Sequence, residues 1–169
     1  MGMESDWHSF LSSLEGDENS VVVIEEVVLQ GDSHVLYVFV HRKPPRLYEM
    51  PDEMRYTVFF DEEHRSVSMD FTLHLGIPMD RIDDVRAAVK AHPREEPWNF
   101  CVLPGEGGIM LGIGIVIVLP ELVEDELCSF TRDEILQTCF VLYAAWSRMH
   151  REIHEHLGIE CIRSPATLH

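Results

Sequence analysis

Residues 109–119 read IMLGIGIVIVL, an apolar run that is rich in β-branched side chains. A run of this length and composition is typical of a β-strand that is buried on both faces. It lies within a continuous unit, residues 98–157, which reads as a strand, a glycine turn, this second strand, an acidic linker and a long helix. This unit indicates the architecture of the chain, whereas no catalytic or cofactor motif stands out in the sequence.

The residues before this unit predict a helix, four strands and a second helix. The predicted elements are a helix over Asp6–Glu15, strands over Val21–Gln30, His34–Arg42, Met54–Asp61 and Ser66–Leu75, and a helix over Pro78–Ala91. In the strand from Ser66 to Leu75, apolar and polar residues alternate strictly. That period of two predicts a sheet with one buried face and one wetter face.

The last predicted helix begins at Thr131 and ends at Leu157. Thr131 and Glu134 have the spacing of a capping box, and the acidic residues Glu121–Glu126 before it predict a linker. The main apolar stripe of the helix consists of Ile135, Cys139, Leu142, Trp146, Met149, Ile153 and Leu157. A shoulder of Leu136, Phe140 and Tyr143 widens this stripe, and we expect the shoulder to leave apolar surface for a partner.

The composition indicates one domain over residues 1–169, with loosely ordered ends at 1–5 and 159–169. Thirteen Lys and Arg residues face thirty Asp and Glu residues, so the formal net charge is −17. Such a surface repels phosphate backbones and anionic lipids, and we expect neither a nucleic acid nor a membrane as partner. The four cysteines form no C-x-x-C pair and the N-terminus lacks an apolar signal core, which favours a reducing cytoplasm. Cys101 and Cys139 are expected to be buried.

Two histidines of the last helix are candidates for a metal site. His150 and His154 are four residues apart, so both rings can point towards one ion, and His156 and Cys161 follow nearby. A third ligand on the same face and an H-E-x-x-H pattern are both missing. The negative end of the helix dipole also favours histidine there without a metal. We therefore expect no metal that is needed for folding, and no cofactor.

The glycines between residues 105 and 114 suggest a phosphate-binding loop by composition. Neither G-x-G-x-x-G nor G-x-x-x-x-G-K-[ST] is complete, and the glycines lead into a strand instead of a helix. A hairpin turn with close packing is the simpler interpretation. Gly112 and Gly114 share one face of their strand, so we expect something bulky to cross there, and Trp146 is the candidate.

Two charged segments allow a functional and a plain interpretation. Arg42, Lys43 and Arg46 form the only local basic patch, which could hold an acidic peptide or a phosphate; a solvated loop is the alternative. Residues 61–64 read DEEH and could place carboxylates around a metal, but a charged hairpin turn is the simpler interpretation. No catalytic residue is nominated, because no nucleophile elbow or paired nucleophile and base can be identified from spacing.

The element order predicts an α+β domain of two layers, with helices packed on an antiparallel sheet in the order α-ββββ-α-ββ-α. In the helix over residues 79–89, the hairpin Asn99–Leu119 and the segment Phe130–Leu136, the chain resembles the YbjN-like family of bacterial sensory-transduction regulators and, more broadly, the type III secretion chaperone-like fold. The resemblance covers residues 21–157. One feature departs from the family pattern, which usually has three extended segments before the middle helix where this chain has four.

The resemblance implies a small, acidic, cytoplasmic protein that is commonly dimeric and not an enzyme. Secretion chaperones of this fold bind extended segments of a client on apolar patches. We therefore expect a non-catalytic protein-binding module, chaperone-like or regulatory, whose partners are a second copy of itself and a protein or peptide client. The alternative from another class is a small-ligand or metal-binding protein that uses the space between the sheet and the helices.

Overall fold

The computed structural model describes residues 22–30, 34–41, 54–61, 63–93 and 95–159. Six strands form one sheet in the order β1-β2-β3-β4-β6-β5, and every neighbouring pair is antiparallel. The strands are β1 (Val22–Gln30), β2 (His34–His41), β3 (Met54–Asp61), β4 (Ser66–His74), β5 (Asn99–Gly105) and β6 (Gly108–Val118). This architecture confirms the predicted α+β class and the four strands that precede the middle helix. The predicted helix over Asp6–Glu15 lies outside the described residues.

Two α-helices belong to the described part of the chain. A 3-10 turn over Met79–Arg81 leads into α1 (Ile82–Ala91), as the sequence predicts, and the long helix α2 spans Glu124–Leu157. No helix among the described residues is long and apolar enough to cross a membrane. Both helices pack on the same face of the sheet, which we call the helix face; the opposite face is called the open face.

The predicted start of the last helix was wrong, because α2 begins seven residues before Thr131. Its first turn holds Glu124, Asp125 and Glu126, which the sequence assigned to a linker because they are too acidic for the core. Carboxylates are favourable in the first turn of a helix, where the dipole is positive. Leu127, the next residue, is buried and anchors this turn. The acidic residues therefore belong to the N-terminal turn of the helix. Thr131 and Glu134, which have the spacing of a capping box, lie inside the helix.

Strand β4 shows the alternation that its sequence predicts. Val67, Met69 and Phe71 are buried on the helix face, whereas Asp70 and His74 on the open face are exposed. The main stripe of α2 is confirmed in the same way, since its residues from Ile135 to Ile153 are buried and Leu157 is partly buried. The core of the described structure therefore lies between one face of the sheet and one side of the helices.

Strand β6, which lies next to the edge strand β5, corrects the prediction of burial on both faces. Ile109, Leu111 and Ile113 are buried on the helix face, but Val116 is 62% exposed and Val118 is 74% exposed on the open face. Continuous apolarity does not distinguish a strand covered on both sides from a strand whose second apolar face is left accessible. The second face of β6 is accessible in the described structure.

An aromatic cluster joins α2 to the sheet. The rings of Phe71, Tyr143 and Trp146 form a triangle in which each pair of centroids lies 6.3 Å apart. The Trp146 side chain donates from Nε1 to the carbonyl oxygen of Leu111 at 2.8 Å. The Tyr56 hydroxyl donates to the carbonyl oxygen of Cys139 at 2.9 Å. One bond therefore runs from a helix side chain to the sheet backbone, and the other runs from a sheet side chain to the helix backbone. Both bonds are buried, and they fix the position of the helix along the sheet.

Replacing Trp146 with Ala should destabilise the fold by about 3–5 kcal/mol, because a large cavity opens and the Leu111 carbonyl loses its donor. Urea denaturation followed by circular dichroism measures this change. Val141→Ala on the exposed side of the same helix is the control and should cost under about 1 kcal/mol. Equal midpoints for wild type and Trp146→Ala would contradict the central position of this ring.

Candidate functional site

The open face has a depression near one side of the sheet, where β6 lies between β4 and β5. The strand register forms two cross-strand rows there, Thr72–Gly112–Cys101 and Asp70–Gly114–Asn99. A glycine occupies the centre of each row, so the floor of the depression is bare backbone. The side chains of the flanking strands form its walls, and the result is a groove of about 420 Å3 that runs along β6.

The glycines of the groove floor lie on the opposite face from the one expected to hold Trp146. Trp146 packs against Leu111 on the helix face, whereas a Cβ at Gly112 would come within 2.6 Å of the Cys101 sulfur and 3.1 Å of the Thr72 hydroxyl. A Cβ at Gly114 would meet the Asp70 Cβ at 3.3 Å. A larger residue at either glycine would therefore crowd the side chains of the neighbouring strands. These neighbours explain the two glycines, and Trp146 does not.

Apolar side chains surround the groove. Val116 and Val118 extend from one end of the floor, and Leu103 and Met110 form the row beyond Gly112. Val116, Val118 and Leu103 are exposed in the described structure. Exposed apolar side chains that lie together on one surface are typical of interaction sites. We call the groove with this apolar rim the sheet-face site.

One carboxylate lies in the wall of the sheet-face site. Partial burial raises the pKa of Asp70 above its ordinary value, because the surrounding strand atoms remove water from the charged form. A cation bound close by would restore the interaction that the carboxylate has lost with water. Asp70 therefore favours a positively charged group at the wall of the groove.

The strand that forms one wall of the site is also an edge of the sheet. Among the described strands, β5 pairs only with β6, so its other side presents backbone donors and acceptors that no described strand uses. Cys101 was expected to be buried and is exposed, because its position in β5 places it on the open face. Cys139 lies on the inner side of α2 and is buried, as expected.

The two histidines of the runner-up metal site lie on the inner side of α2. The His150 ring lies 5.1 Å from the Trp146 ring and 4.2 Å from the His154 ring. His154 is buried and donates from Nδ1 to the carbonyl oxygen of His150 at 2.7 Å. Among the described residues, no group of three or more His, Cys, Asp or Glu side chains is placed to hold a metal ion. That folding requires no metal at these histidines stays a prediction.

The residues that were predicted to bind a partner fall into three groups. Tyr143 is only 5% exposed and belongs to the core, because its ring is drawn inward by Phe71 and Trp146. Phe140 is partly buried against the core, and the Leu136 side chain lies outside the described part of the structure. The basic patch of Arg42, Lys43 and Arg46 also lies outside the described residues. The sheet-face site was not predicted as a partner surface.

The charged segment at residues 61–64 and the glycines before β6 both form turns. Asp61 accepts hydrogen bonds from the backbone nitrogen of His64 at 3.0 Å and from its ring at 2.8 Å. Gly107 has a φ of 84° in the turn between β5 and β6, a conformation that favours glycine. The hairpin interpretation of both segments is therefore confirmed.

Comparisons with protein-family models, curated proteins and solved structures gave no match for this chain. The YbjN-like family and the type III secretion chaperone-like fold stay predictions from the sequence. The structure itself establishes the α+β class, the six-stranded antiparallel sheet and the accessible groove on its open face.

Acidification should destabilise the protein through His150. Burial and, to a smaller extent, the nearby His154 lower the pKa of His150 to about 4, although a hydrogen bond with the Leu75 backbone acts in the opposite direction. The unfolded chain then binds the proton more readily, so this contribution to stability is complete above about pH 6.5 and is lost as the pH falls towards 4. Its size is about 1–3 kcal/mol once partial exposure is discounted.

Urea midpoints measured between pH 7.5 and pH 5 test this assignment. His150→Gln should make the midpoint fall less steeply with acidification than it does in the wild type. His156→Gln, which removes an exposed histidine of the same helix, should leave the wild-type slope unchanged. The same slope in wild type and His150→Gln would show that His150 does not titrate in this range.

Proposed function

We propose that this protein is a non-catalytic protein-binding module, chaperone-like or regulatory, that binds an extended segment of a client at the sheet-face site in the cytoplasm. The observation that carries the proposal is the exposure of Val116 and Val118 beside a glycine-floored groove. The core does not require apolar residues on this face of β6, because the helices cover the other face. A bound client explains why the whole strand is apolar.

The shape of the groove favours an extended segment as the occupant. Gly112 and Gly114 are two residues apart, which equals the repeat of side chains on one face of a strand. A segment that lies along β6 in an extended conformation can therefore place alternate side chains over the two glycines.

The charge of the site indicates the sequence of the client. The net charge of −17 attracts cationic segments, and Asp70 lies in the groove wall itself. The apolar rim requires apolar side chains from the client. The preferred client segment therefore alternates apolar residues with Lys or Arg. This preference agrees with the resemblance to secretion chaperones, which bind extended client segments on apolar patches.

Binding can be measured by fluorescence anisotropy with two labelled peptides of equal length, one alternating Val and Lys and the other alternating Val and Glu. We expect the wild type to bind the Val-Lys peptide more tightly. Val116→Lys should weaken that binding by about tenfold or more, because it places a charge on the apolar rim. Val123→Lys is the matched control, since Val123 is 68% exposed and lies outside the groove.

Equal affinities of wild type, Val116→Lys and Val123→Lys for the Val-Lys peptide would exclude the sheet-face site as its binding surface. Stronger binding of the Val-Glu peptide would contradict the proposed charge preference. Asp70→Asn separates the two contributions, because it should reduce the difference between the peptides and leave the apolar contact in place.

We also propose that the protein is a homodimer. The support is the pair of edges that β1 and β5 give to the sheet of the described residues. Multi-angle light scattering at micromolar concentration should give twice the monomer mass of 19.5 kDa. A monomer mass over the whole range, or a largest contact between copies below about 800 Å2, would contradict the dimer without affecting the peptide measurement.

A further inference from the structure

A second cavity lies on the helix face, between α1 and the edge strand β5. Its volume is about 630 Å3, within the usual range of about 300–1,000 Å3 for small-molecule sites. Val89 and Val102 provide apolar walls, and Trp98 and Phe100 provide aromatic ones. All four side chains are partly buried, and they form the apolar part of a lining whose larger share is polar. We call it the α1–β5 cleft.

Two cations lie at the rim of this cleft. Arg86 and Lys90 are four residues apart on α1, so they project from the same side of the helix. Arg86 makes one surface ion pair, to Asp83 at 3.3 Å, and Asp83 is 92% exposed, so the pair is readily exchanged for another anion. Among the described residues, Lys90 makes no ion pair or hydrogen bond. Two cations converge on one cavity in a chain with more than twice as many acids as bases.

Among the described residues that line the cleft, one is a carboxylate, and its charge is already compensated. Glu96 is bonded by the guanidinium of Arg148, accepts from Trp98 Nε1 at 2.9 Å and contacts His92 Nε2 at 3.4 Å. Its charge is therefore compensated from behind and does not cancel the charges of Arg86 and Lys90. The cleft lining therefore presents two cations that this carboxylate does not cancel, although the protein as a whole is strongly negative.

The same cluster holds the aromatic wall in place. The bond from Trp98 to Glu96 fixes the indole, and Glu96 is tied to α2 through Arg148. His92 links the end of α1 to α2 by its contact with Glu152 at 3.0 Å, and its ring packs edge-on against Phe100 at 6.3 Å. The cleft is therefore held open by bonds among its own walls, and a ligand would find it largely formed.

We propose that the α1–β5 cleft binds a small anionic aromatic compound, whose ring lies between Trp98 and the valines and whose anionic group meets Arg86 and Lys90. This inference is independent of the protein-binding role, because the cleft and the sheet-face site lie on opposite faces of the sheet. It gives the predicted alternative of a small-ligand protein a defined place and a defined ligand chemistry.

The test uses two fluorescent probes with the same rings. 8-Anilinonaphthalene-1-sulfonate carries an anionic group, and N-phenyl-1-naphthylamine lacks it. We expect the wild type to bind the sulfonate more tightly than the neutral probe. The double substitution Arg86→Gln and Lys90→Gln should weaken sulfonate binding by about five- to thirtyfold, the effect of losing two partly exposed charge contacts. Binding of the neutral probe should change less than twofold.

Two controls locate the effect. Arg151→Gln removes an exposed cation of α2 that does not line the cleft, and it should leave both affinities unchanged. Val116→Lys alters the open face and should also leave sulfonate binding unchanged. Equal binding of the two probes to the wild type, or sulfonate binding that survives the double substitution, would overturn the proposal. So would a loss of sulfonate binding in Val116→Lys, which would place the probe at the sheet-face site.

Discussion

The packing of one long helix on one face of the sheet is the constraint on which the rest of the structure depends. α2 has 34 residues and is about 50 Å long, enough to cross the whole width of a six-stranded sheet. Two buried hydrogen bonds, from Trp146 to the Leu111 carbonyl and from Tyr56 to the Cys139 carbonyl, set where it lies. Each bond joins a side chain of one layer to the backbone of the other, so the helix cannot slide without leaving a polar group unpaired.

This arrangement separates two surfaces with different chemistry. On the helix face, α1 covers the sheet only partly near β5, and the remaining space becomes a cleft with a positive rim. On the open face, the glycines of β6 create a groove with an apolar rim and an acidic wall. The two sites therefore favour opposite charges. Under the two proposals, a cationic, extended segment binds the open face and an anionic ring binds the cleft.

Periodic patterns in the sequence predicted the elements whose burial depends on a single neighbouring surface. The alternation in β4 and the stripe of α2 each follow from burial against a single neighbour, and both were read correctly from the sequence. The position of Tyr143 was not predicted, because this residue beside the stripe is drawn into the core by Trp146 of the same helix and by Phe71, which belongs to a distant part of the chain.

The sheet-face site could not be found from the sequence for a related reason. An apolar run such as residues 109–119 has the same composition whether its second face is covered or accessible, and only the packing of α2 on the first face resolves this. Gly112 and Gly114 did indicate that their face is special, but not which neighbours approach it. The α1–β5 cleft depends on contacts between Glu96 and Arg148, which are far apart in the chain and carry no shared motif.

Site-resolved cysteine modification tests the one-sided sheet most directly. Cys101 is exposed on the open face, whereas Cys139 is buried on the inner side of α2, and burial raises the pKa of its thiol. Treatment of the folded protein with N-ethylmaleimide, followed by peptide mass spectrometry, gives the rate at each residue. The structure predicts that Cys101 reacts at least about a hundredfold faster than Cys139, and that urea removes the difference because Cys139 reacts only when the fold opens. Similar rates at both residues in the folded protein would contradict a sheet with one covered and one accessible face.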